Sequence, residues 1–147
     1  MRLRPKSDYL HQSDWEELYI LTKHWKSDME FYSDEIDFLR LLMDKYFIWL
    51  IEGQNISHTK ELVQKLSSKD QERQEISELI EKHLHHLEGL LKSTSTEDDQ
   101  KFRDEHAELE DRFTDFVKAF MSTKREAFSM TEHVMESEKI KRLLSAN

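Results

Sequence analysis

Residues 15–50 read WEELYILTKHWKSDMEFYSDEIDFLRLLMDKYFIWL. Stepping alternately by three and four from Trp15 visits Leu18, Thr22, Trp25, Met29, Tyr32, Ile36, Leu39, Met43, Tyr46 and Leu50, and ten of these eleven positions are apolar or aromatic. A 3.5-residue repeat held this long predicts one long helix packed along its whole seam against neighbours that run near-parallel or antiparallel to it. Ser13 with Glu16 supplies a capping box for its start, and Gly53 stands where a left-handed C-terminal cap would end it. A rival division breaks this helix at a second capping box, Ser27 with Glu30, and gives four helices. The register runs through Trp25 and Met29 without a slip, which favours the unbroken helix over residues 13–52.

The same rule continues downstream. Residues 57–92 carry a stripe of Leu62, Leu66, Lys69, Arg73, Ile76, Ile80, His83, Leu87 and Leu90. Residues 97–144 carry Phe102, His106, Leu109, Phe113, Phe116, Phe120, Thr123, Ala127, Met130 and Val134. The connections at 54–56 and 93–96 are short, so sequential helices should lie antiparallel. The expected fold is all-α: an elongated up-down-up three-helix bundle of coiled-coil type, forming one domain over residues 1–147 with residues 1–12 frayed. With two glycines and one proline in 147 residues, the chain lacks the punctuation that strands and hairpins need.

Composition narrows the function classes. A formal charge of −9 opposes nucleic acid and anionic lipid, and no apolar run approaches the ~20 residues of a bilayer span. The absence of cysteine removes thiol chemistry and is compatible with a reducing, cytoplasmic setting. Serines and threonines fall in caps and loops rather than on a strand-to-helix elbow, and glycine-rich phosphate loops are missing, so no catalytic residue is assigned. The acidic run Glu97, Asp98 and Asp99 is accounted for by the dipole of the helix it opens.

Two features stand out against this background. The first is the histidine-rich stretch EKHLHHLEGL at 81–90. Only His83 lies on the stripe, with His86 at its flank and His85 pointing away. In an antiparallel hairpin turning near residue 95, paired residue numbers sum to about 190, which sets His83 against His106. A turn near 54.5 brings His24, Trp25 and Asp28 to the same height, and Glu105 also lies there. His83, His106, His24, Asp28 and Glu105 are therefore the candidate ligands for zinc or iron, a set of nitrogen and carboxylate donors suited to either. Glu-x-x-His, His-Glu-x-x-His and His-x-x-x-His are all missing, so the established di-iron and zinc patterns do not apply. The plainer expectation is a polar layer in which two imidazoles bond each other and fix register, with no cofactor. Similar arithmetic sets His58 beside Glu132 and His133.

The second feature is LLMDKYFIWLI at 41–51, apolar nearly all round the helix. Leu41, Phe47, Ile48 and Ile51 fall outside the core stripe, and Ile140, Leu143 and Leu144 overrun the first turn of the bundle. A symmetric homodimer, or another helical protein, would cover both groups. The function expected from the sequence is a non-enzymatic interaction or scaffold module, with a metal-binding bundle as its alternative.

Overall fold

The computed structural model describes residues 14–52, 56–92 and 100–145, giving the backbone alone at 49–52, 137–141 and 143–145. Every element among them is a helix: α1 (Trp15–Glu52), α2 (Ile56–Lys92) and α3 (Gln100–Ser145). The architecture is a helical bundle, and no strand occurs among the described residues. Gly53, the N-terminal residues 1–12 and the connection 93–96 lie outside the described residues.

α1 runs through Ser27 without a break. Its seam holds as a unit, with Leu18, Thr22, Trp25, Met29, Tyr32, Ile36, Leu39, Met43 and Tyr46 all buried. Thr22 is tolerated there because its hydroxyl donates to the Leu18 carbonyl at 2.7 Å, returning the polar group to its own helix. The helix begins one residue later than the Ser13 and Glu16 pairing implies. Asp14 Oδ1 accepts the Glu17 N–H at 2.8 Å, and the Asp14 carbonyl accepts the first helical N–H, from Leu18, at 3.2 Å. An aspartate cap satisfies an orphan donor and also sets negative charge on the positive end of the helix dipole, an advantage that serine lacks.

The described residues fall into two compact units, one within Met1–Ser33 and Glu72–Phe116, the other within Asp34–Gln71 and Val117–Asn147. In the first, Leu18, Leu87 and Phe102 form a buried cluster that Trp15, Tyr19, Leu21 and Leu90 pack against. Tyr19 donates to Glu88 at 3.5 Å, and Lys26 pairs with Glu81 at 2.9 Å. In the second unit Ile36, Leu39, Met43, Leu62, Leu66, Phe120 and Ala127 are buried. Its periphery carries the ion pairs Arg40 with Asp70 at 3.5 Å and Lys124 with Glu35.

α2 is the least apolar of the seams. Between Leu66 and Ile76 its stripe positions are Lys69 and Arg73, both half-buried, a burial that long side chains reach through their aliphatic stems. α3 buries one row more than its stripe. Arg103, Glu110, Val117 and Thr131 are buried and Lys124 is half-buried, each one residue past a stripe position and seven apart from the next along Arg103, Glu110, Val117 and Lys124.

Candidate functional site

The first unit contains the histidine pair. His83 from α2 and His106 from α3 are both buried, and His83 Nε2 lies 2.8 Å from His106 Nδ1. That distance is a direct hydrogen bond between two rings. Each neutral imidazole has one N–H and one lone pair, so whichever nitrogen donates, the facing one must accept. Two protonated rings would set N–H against N–H, so the pair in this geometry carries at most one positive charge.

Aromatic rings wall the pair on both sides. Phe102 stacks on His83 at 4.3 Å and 10°, and Trp15 meets Phe102 edge-on at 5.5 Å. Trp25 stacks on His106 at 4.9 Å and on Phe113 at 5.6 Å. The helical spacing explains the alignment: Phe102, His106 and Phe113 are consecutive or next-but-one members of one stripe, so their rings leave α3 on one face. Burial among these rings, with the charge of nearby His86 as a lesser cause, pushes the His83 imidazole down to about 4, so it is neutral near pH 7. Arg103 lies 4.4 Å over the Trp15 ring, a cation held on the indole face where its burial is compensated.

A cavity of about 440 Å³ adjoins His83, lined also by Leu79, Lys82, His86, Glu105, Glu108, Leu109 and Arg112. Of the five residues that the sequence nominates as ligands, the structure brings His83 and His106 into contact. Glu105 is exposed and joins His83 in the cavity wall, while His24 and Asp28 are half-buried on α1. Among the described residues no three histidine, aspartate or glutamate side chains are grouped so as to hold a metal ion. A metal at the pair would first have to break the bond between the two imidazoles.

In EKHLHHLEGL the sequence order is not the spatial order. His83 is buried, His85 is exposed, and His86 is exposed with its ring edge-on to Phe102 at 4.6 Å. In the second unit His58 bonds Glu126 rather than Glu132 or His133. The other oxygen of Glu126 accepts from Lys65 at 3.3 Å, so one carboxylate serves two side chains seven residues apart on α2. The hydrogen bond from His58 is the chief cause that holds the Glu126 carboxyl below its ordinary range. Glu126 lies off the α3 stripe, one position before Ala127, and periodicity alone does not mark it.

Comparison with protein-family models, with curated proteins and with solved structures finds no match for this chain.

Proposed function

We propose that this protein is a non-enzymatic helical interaction or scaffold module that associates with a second copy of itself or with another helical protein. The observation that carries the reading is the outer face of α1. Leu41 and Ile48 are 69% and 62% exposed, and Phe38, 53% exposed, stands one turn before Leu41. Isolated exposed apolar residues are ordinary, but three large ones at helical spacing on one face form a contiguous patch of the kind that protein contacts cover. Phe47 is half-buried at the edge of this face. The side chains of Ile51, Ile140, Leu143 and Leu144, the remaining candidates for that contact, lie outside the described residues.

The reading includes a chain that doubles back twice as one up-down-up domain of coiled-coil type. Its support is the contact pattern, in which Tyr19 meets Glu88 and Lys26 meets Glu81 within the first unit, so numbers fall on α2 as they rise on α1. No helix among the described residues is long and apolar enough to cross a membrane. Together with a charge of −9, this favours a cytoplasmic protein partner over lipid or nucleic acid.

The test is light scattering across a concentration series, repeated with Leu41→Asp. We expect a dimer in the parent and a monomer in the variant, because a buried unpaired carboxylate would cost more than the patch contributes. A parent that stays monomeric throughout removes the self-association. Metal analysis of the purified protein examines the zinc or iron alternative, for which stoichiometric metal would be required.

A further inference from the structure

The outer face of α1 has an internal symmetry. Positions 31, 34, 38, 41, 45 and 48 alternate in steps of three and four, the same rhythm as the buried seam but on the opposite side of the helix. They read Phe31, Asp34, Phe38, Leu41, Lys45 and Ile48, and all six are exposed. Reflected about the point midway between residues 39 and 40, the order becomes apolar, charged, apolar, apolar, charged, apolar in either direction, with the two charges opposite in sign.

Resting on the self-association proposed above, we infer that two copies pair antiparallel along this face about a two-fold axis at residues 39 and 40. Phe38 then meets Leu41 of the partner copy, and Asp34 meets Lys45 of the partner copy. An isologous contact repeats every pair twice, so two apolar pairs at the axis are bracketed by two ion pairs. A parallel arrangement would set Asp34 against Asp34 and Lys45 against Lys45, so charge complementarity selects the antiparallel one. Phe128 of α3, whose ring lies 6.4 Å from that of Phe38, widens the apolar centre. Lys45 is exposed, and its ammonium lies 5.4 Å from the centre of the Tyr46 ring, a contact it would exchange for Asp34 of the partner copy. Asp37 and Asp44 flank the seam and face their counterparts across its rim, where water and salt weaken their repulsion. A seam of this length lies at the small end of specific interfaces, so the dimer should exchange with monomer at micromolar concentration.

Charge reversal tests the register. Asp34→Lys places two like-charge pairs in the antiparallel seam, as does Lys45→Asp, and each should weaken the dimer about tenfold in sedimentation equilibrium. Asp34→Lys also makes the chain less negative, so a general charge effect would strengthen association, opposite to the expected sign. The double variant Asp34→Lys/Lys45→Asp restores both pairs at unchanged net charge and should recover the parent affinity. Mixing the two single variants should give a heterodimer tighter than either homodimer.

A parent dimer with single variants no weaker, or with a double variant no better than the singles, overturns the antiparallel register and leaves self-association standing. A parent monomeric at every concentration overturns both. Because the chain has no cysteine, a mixture of Phe38→Cys and Leu41→Cys supplies a second reading. Oxidation should link the two variants to each other in preference to either with itself, and equal yields of all three products would also overturn the register.

Discussion

At the scale of single residues the histidine pair is where chemistry and stability meet. Folding lowers the His83 imidazole from 6.5 to about 4, so the unfolded chain binds a proton more readily than the folded one. Stability from this group is therefore complete above pH 6.5, falls as the pH drops toward 4, and changes no further below that. The depression corresponds to at most about 3 kcal/mol, which the solvent of the adjoining cavity reduces. Glu126 acts in the same direction but in a lower window, since its depressed carboxyl loses its contribution only below about 4.5. The interval from pH 6.5 to 4.5 thus separates His83 from Glu126, and the variant separates it from the other histidines. We expect the melting temperature to fall across that interval, and His83→Leu to remove much of the slope while altering stability little at pH 7. Leucine keeps the apolar contact with Phe102 but leaves a His106 nitrogen without its ring partner, and the two effects oppose each other. An unchanged slope in the variant would show that the pair does not control acid stability.

At the scale of elements the continuity of α1 is the point on which the two sequence readings diverged, and one substitution separates them. If Ser27 capped a new helix, residue 28 would be its first position, where proline is favoured. In the continuous helix, proline at 28 removes a hydrogen bond and clashes with the preceding turn at a cost of about 3 kcal/mol. We expect Asp28→Pro to lower the urea midpoint by that order, and a neutral effect would argue for a break. The seam of α1 was legible because period and burial have one cause: all nine positions from Leu18 to Tyr46 must face inward at once, and a single register satisfies them. The meeting of His83 with His106 followed from the same regularity on α2 and α3. Arg103 and Glu110 were not legible from the stripe; Arg103 is held over the Trp15 ring of α1, a contact that the period of α3 does not register. Their spacing of seven, continued by Val117, was the available signal. Equal height sets His58 beside Glu132 and His133, whereas its bond runs six residues back along α3 to Glu126, the carboxylate that Lys65 also reaches.

At the scale of the whole molecule, charge and apolar surface pull association in opposite directions, and ionic strength decides the balance. Each chain carries a formal charge of −9, so two copies repel through their overall fields before any seam contact forms. That repulsion acts over distances comparable with the Debye length, roughly 30 Å at 0.01 M salt and 8 Å at 0.15 M, and is largely screened at the higher value. The proposed Asp34 and Lys45 pairs act at about 4 Å, inside the screening length at both concentrations, so salt weakens them far less. The flanking Asp37 and Asp44 repel at the rim and are relieved by salt as well. The sum has a definite sign: raising salt from 0.01 to 0.15 M should tighten the dimer, whereas an interface dominated by exposed opposite charges would loosen. We expect the dissociation constant measured by sedimentation to fall over that range. The change should be larger for Lys45→Asp, which adds negative charge to both copies, than for the charge-neutral double variant. A dissociation constant that rises with salt would mean that attraction between opposite charges, rather than burial of Phe38 and Leu41, holds the two copies together.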